Sequence, residues 1–136
     1  MNIKRLRRHQ EKEKFSMETK IQQSRFDYVE LPAKTREGLL KIKSFYSGVF
    51  GWSYTDWGED YSDTKDSGIL SGLNADPSQA PLHALAIIYV QDIETKRNEI
   101  ISAGGRITRD IFSFPGGRRF HFTDPIGNEL GIWTDK

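Results

Sequence analysis

The chain repeats one order of elements, and this repeat constrains its fold more than any single motif. In the first half, "RFDYVELPA" (25–33) reads as a strand. In "KTREGLLKIKSFYSGVFG", Leu39, Leu40, Ile42, Phe45, Tyr46 and Val49 recur at helical spacing, and Gly51 is the expected stop. "WSYTDWG" (52–58) alternates aromatic and polar residues as a strand does. "GEDYSDTKDSG" is polar and turn-rich, and "GILSGL" (68–73) is a short apolar strand. "NADPSQAP" (74–81) is a linker built of turn residues. The second half then begins again. "HALAIIYVQD" (83–92) is an apolar strand, followed by an amphipathic helix with Ile93, Ile100 and Ile101 on its apolar side and Gly104-Gly105 at its end. "RITRDIFSF" (106–114) is the next strand. Each half thus runs strand, helix, then two or three strands. One face of each sheet covers its helix, so the other faces must cover each other or enclose a cavity.

The last hairpin is the sharpest signal. In "FHFTDPIGNELGIW" (120–133), Pro125 fixes φ, Gly127 permits a positive φ, and Asp124 and Asn128 can bond their own backbone. A five-residue turn at 124–128 pairs Thr123 with Glu129, His121 with Gly131 and Arg119 with Trp133.

The length of 136 residues suits one domain with a real core. With no cysteine, the sequence has no disulfide and no Cys-ligated metal site. No apolar run is long enough to span a bilayer, and the N-terminus lacks the apolar stretch of a secretory signal, so the cytoplasm is the expected compartment. The net charge of +1 divides unevenly: residues 1–25 carry eight Lys/Arg against three Glu, whereas 26–136 carry twelve basic against sixteen acidic residues. Residues 1–24 read as a basic tail. Nothing aromatic or periodic is interleaved with its charges, which favours a solvated extension over a nucleic-acid or membrane arm. Residues 25–136 read as the folded domain, with a first module at about 25–73, the linker 74–81, and a second module at about 82–136.

Three stretches resemble the vicinal-oxygen-chelate superfamily of glyoxalase I, bleomycin- and fosfomycin-resistance proteins and extradiol dioxygenases. They are "FYSGVFGW" (45–52), "AGGRI" (103–107) and, most specifically, "GGRRFHFTDPIGNELGIW" (116–133). The resemblance covers roughly residues 26–135 and is closest to small glyoxalase-like proteins of mostly unknown substrate. It implies an α+β fold of two βαβββ modules, whose curved mixed sheets surround a central cleft. Catalysis, where present in such a chain, would be that of a lyase or isomerase related to lactoylglutathione lyase. A homodimer is implied as well.

The family's metal ligands fall on Tyr28, Leu85 and Gly131, with a further position in "GILSGL", which has no carboxylate, imidazole or amide. A divalent ion needs several converging N or O donors. No cofactor is therefore expected, although a divalent metal at shifted ligands such as His121 with Glu129 or Glu30 is the alternative. Strand parity, taken from a cleft-facing Gly131, turns Glu129, Trp133, Thr123, His121 and Arg119 inward. It does the same for Tyr28, Glu30, Leu85, Ile87 and Tyr89, and leaves Phe120 and Phe122 to the core. His121 and Glu30 are the catalytic candidates, His121 as a base or a pocket hydrogen-bonding group. Tyr28, Leu85, Ile87, Arg119, Glu129 and Trp133 are the ligand-binding candidates. Arg119 suits an anionic group, or else a rim pairing with Asp110 or Glu129. The function expected is binding of a small aromatic or anionic molecule in a metal-free cleft. The alternative is a lyase, isomerase or dioxygenase-type enzyme using a non-standard metal site or His121.

Overall fold

The computed structural model describes residues 23–136; residues 1–22 of the basic tail, His9 among them, lie outside the described residues. The elements are β1 (Arg25–Pro32), α1 (Arg36–Phe50), β2 (Thr55–Asp56), β3 (Tyr61–Thr64), β4 (Leu70–Asn74), β5 (Leu85–Tyr89), α2 (Ile93–Ser102), β6 (Arg106–Phe114), β7 (Gly117–Thr123) and β8 (Glu129–Thr134). These make two βαβββ modules in one mixed, open, curved sheet of eight strands, ordered β2-β3-β4-β1-β5-β8-β7-β6. The modules join where β1 lies antiparallel to β5.

Both helices start and stop through local chemistry. Thr35 Oγ1 accepts from the Gly38 amide at 2.9 Å to cap α1, and Asp92 accepts from the Thr95 amide at 3.0 Å to cap α2. Gly51 closes α1 in the left-handed conformation, φ 74°, as its position in the sequence predicts.

The predicted hairpin register holds at every pair: Thr123 with Glu129, His121 with Gly131 and Arg119 with Trp133. Its turn is tied by Asp124, whose Oδ1 accepts from the amides of Ile126 and Asn128, both at 3.0 Å.

Each module has its own small core under its helix. Val90, Ile93, Phe120, Phe122 and Ile132 form one, and Ala33, Leu39, Leu73 and Ala75 the other. The register aligns Tyr28 with Ile87 and Val29 with Ala86 across the module junction. Alternation then puts both helices on one face of the sheet and leaves the other face for the cleft.

Two strands depart from expectation. The segment 52–58 contains only the two-residue β2. The polar segment after it contains β3, which its composition hid because the residues it buries are Ser62 and Thr64. Small hydroxylated side chains carry no hydrophobic alternation, yet Ser62 is satisfied by donating to Asp56 at 2.6 Å.

Phe120 is fully buried in the second-module core. Phe120→Ala should lower unfolding free energy by about 3–5 kcal/mol, read as a shift in urea midpoint. A loss of unfolding free energy smaller than about 1 kcal/mol would place this side chain outside the cooperative core.

Candidate functional site

The cleft face carries a cavity of about 640 Å³. Its aromatic walls are Tyr28, Tyr61, Trp57, Phe114 and Trp133, with Ile87 between them. Asp60, Asp63, Asp76 and Asp135 line it too, and Arg119 is the cationic side chain among its described lining residues.

A buried ion pair joins the two modules at the floor. Glu30, from β1, is 1% exposed, and Arg119, from β7, is 8% exposed. Arg119 donates from both terminal nitrogens, at 2.8 Å to Glu30 Oε2 and 3.2 Å to Oε1. This two-point contact suits the planar guanidinium fork. The remaining Nε–H of Arg119 donates to His121 Nε2 at 3.2 Å. On the other side Tyr61 donates to Glu30 Oε1 at 3.0 Å, and the Tyr28 and Tyr61 hydroxyls are hydrogen-bonded to each other. One chain of polar contacts therefore runs Tyr28–Tyr61–Glu30–Arg119–His121. Burial is the first cause pushing both phenols well above the usual range, so they remain neutral at ordinary pH.

The sequence-predicted residues divide accordingly. Tyr28, Glu30, Ile87, Arg119 and Trp133 line the cavity together, but Leu85, Glu129 and His121 do not. Leu85 is buried against Gly131. Glu129 accepts from Thr108 at 2.7 Å. His121 shares the cleft-side face of β7, but Arg119 holds its Nε2 and Phe112 packs edge-on against its ring. The rim partners considered for Arg119 are corrected: Asp110 pairs with Arg97 instead, and Arg119 turns inward to Glu30. Trp133 is fixed by donating to both Asp27 oxygens, at 3.0 and 3.1 Å.

Sequence reasoning missed Tyr61 and Trp57. Tyr61 lay in the unrecognised β3. Trp57 follows the two-residue β2 and is 63% exposed at the cavity wall.

The strand registers also test the metal positions. Glu30 pairs with Gly72 in the first module, and Ile87 pairs with Gly131 in the second. The two modules thus match Glu30 to Ile87 and Gly72 to Gly131. Both glycine positions are filled by neighbours. A Cβ on Gly72 would lie 2.1 Å from each of the Tyr28 and Tyr61 hydroxyls. One on Gly131 would lie 3.2 Å from Ile87 and 3.3 Å from Leu85. The groups converging there are phenols and aliphatic chains, and of the two carboxylates nearby, Glu30 is already paired with Arg119 and only Asp63 remains. This donor set does not fit a divalent ion. No group of three or more His, Cys, Asp or Glu side chains placed to hold a metal occurs among the described residues.

The family model of the Glyoxalase/Bleomycin resistance protein/Dioxygenase superfamily matches residues 27–132, and the chain belongs to that superfamily. A protein of Mycobacterium tuberculosis provisionally named glyoxylase CFP32 is 29% identical over 102 residues, which are 67% of this chain and 39% of the relative. The Mycobacterium bovis protein of the same name matches to the same extent. The chain thus spans well under half the length of these relatives.

Among solved structures, one titled NAD-dependent benzaldehyde dehydrogenase from Legionella pneumophila aligns with a TM-score of 0.65 and 15% identity, covering 80% of this chain and 98% of that one. Methylmalonyl-CoA epimerase from Mycobacterium tuberculosis aligns at 0.55 with 13% identity, covering 80% and 86%. A superfamily member from Vibrio splendidus aligns at 0.54 with 14% identity, covering 79% and 95%. These likenesses establish the fold. No helix among the described residues is long and apolar enough to cross a membrane.

Two predictions follow from the ion pair and its neighbour. Arg119→Met strands a buried carboxylate and should cost about 3–5 kcal/mol in urea unfolding, with Glu30→Gln/Arg119→Met recovering part of the loss. An additive double variant would show that the two side chains are not coupled. Burial, followed by the charges of Arg119 and Arg109, pushes the His121 pKa down to about 4. Between pH 6.5 and 4 the unfolded chain therefore takes up a proton that the folded chain refuses, and stability falls as pH drops through this window. His121→Gln should flatten the slope between pH 6.5 and 5 in urea midpoints. Equal slopes in the two proteins would contradict this account of the imidazole.

Proposed function

We propose that the chain is a small-molecule-binding protein of the glyoxalase/bleomycin-resistance type, taking the aromatic body of its ligand into the cleft without a metal ion. The observation that carries this reading is the aromatic cavity walled by Tyr28, Tyr61, Trp57, Phe114 and Trp133, with Glu30 and Arg119 paired to each other at its floor. Its volume lies within the usual range for small-molecule sites, and its mix of aromatic wall and few polar groups suits them. The polar chain beneath it gives a pre-formed floor, so little ordering cost opposes binding. The acid–base alternative finds less support, because the Nε2 of His121 already accepts from Arg119.

Thermal unfolding with a panel of aromatic small molecules, and separately with Mn²⁺, Ni²⁺ and Zn²⁺, tests the proposal. A ligand at about a hundred times its Kd should add about 2.7 kcal/mol of stability and quench tryptophan fluorescence. The ions should give no such effect. Trp57→Ala should weaken binding while leaving the melting temperature near that of the parent, because this ring is largely exposed. Stoichiometric tight binding of a divalent ion would overturn the proposal.

A further inference from the structure

The hydrogen-bond chain under the cavity has a direction, and that direction selects a ligand chemistry. Glu30 is ion-paired with Arg119 and meets its neighbours as an acceptor. Tyr61 must then spend its single proton on Glu30, which it does at 3.0 Å. Its oxygen is left to accept from Tyr28, the hydroxyl bonded to it. Tyr28 has thereby used its own proton as well. A phenol has only one, so the Tyr28 oxygen can offer the cavity only lone pairs. The Tyr28 oxygen at the cavity floor is an acceptor, and a ligand group resting on it must be a donor.

Charge points the same way. Arg119, the cationic side chain among the described lining residues, is neutralised by Glu30. Asp63 lines the same cavity and pairs with Gly72 across β3 and β4. The space above Gly72 is where the Tyr28 and Tyr61 hydroxyls meet. After burial and Glu30, the charge of Asp63 is a further cause holding the Tyr28 phenol up, which places it within electrostatic reach. No hydrogen bond or ion pair engages the Asp63 carboxylate among the described residues. Asp60, by contrast, is held by Arg36 at 2.8 Å, and Asp135 accepts from Tyr89 at 2.7 Å.

We infer that the cleft takes an ammonium-bearing aromatic molecule, its N–H groups donating to the Tyr28 oxygen and the Asp63 carboxylate while its ring lies among Tyr61, Trp57 and Trp133. The aromatic faces add attraction for a nearby cation. The inference rests on the reading of the cleft as a ligand site and specifies the charge of what enters it. It departs from the expectation that Arg119 would grip an anion.

The test uses three probes of matched size on the full chain: 2-phenylethylammonium, 2-phenylethanol and 3-phenylpropanoate. Binding is read by titration calorimetry and tryptophan fluorescence, with circular dichroism confirming that each variant is folded. The ammonium should bind most tightly and the carboxylate least. Asp63→Asn should weaken the ammonium about tenfold or more, as loss of a charge-assisted hydrogen bond does, and leave the alcohol nearly unchanged. Tyr28→Phe should weaken the ammonium and the alcohol, since both donate to its oxygen. A carboxylate that binds as well as or better than the ammonium overturns the inference while the cleft remains a ligand site. So does ammonium binding indifferent to both substitutions. Binding of none of the three overturns the inference and the ligand-site reading together.

Discussion

The contact between Glu30 and Arg119 organises the rest of the structure. It joins β1 of one module to β7 of the other, across 89 positions of sequence, at the one face of the sheet that no helix covers. Removing two charges from water costs several kcal/mol per ion, and only near-complete pairing offsets it. That requirement explains the surroundings. Arg119 gives two N–H groups to Glu30 and its Nε–H to His121, and Glu30 takes a further bond from Tyr61. No buried side-chain polar atom is left unpaired among the described residues. His121, which by its sequence position could be a base, is here a neutral acceptor for the Nε–H of that guanidinium.

The same pair sets the character of the cleft. A free arginine at the floor would favour an anion, and a free glutamate would contribute to a metal site. Bound to each other, they neutralise one another beneath the Tyr28 and Tyr61 phenols. Gly72 is what allows this: any side chain there would occupy the space where the Tyr28 and Tyr61 hydroxyls meet. In the second module the matching space beside Gly131 is closed by Ile87 and Leu85. The fold has thus kept its two-module frame while one module fills its central position with phenols and the other with aliphatic side chains. Tyr89 and Phe114 pack against Trp133, and Asp27 anchors its indole, so the wall above the floor is stiff as well.

Much of the frame was legible in the sequence. Helix caps, turn residues and strand alternation act over a few positions, and these local signals located α1, α2 and the closing hairpin with its full register. The parity of β7 and β8 followed from the turn length, because a strand has only two faces. β3 escaped because it buries serine and threonine, whose value to the sheet lies in hydrogen bonds that alternation does not display. Parity also has a limit that His121 and Glu129 illustrate. It says which face a residue is on, not whether a larger neighbour covers it or another strand captures it.

By itself, then, the sequence determined the repeated βαβββ order, the hairpin register and the residue types at 28, 85 and 131, none of them an imidazole, carboxylate or amide. Each of these is written in residue type and short spacing. Tertiary structure alone decided that Arg119 meets Glu30 rather than Asp110, that Tyr61 enters the site, and that the Tyr28 and Tyr61 hydroxyls meet above Gly72. Those outcomes depend on which of several possible partners arrives at a given point in space. That is set by the pairing of β1 with β5 and the curvature of the whole sheet, which no local stretch of the chain encodes.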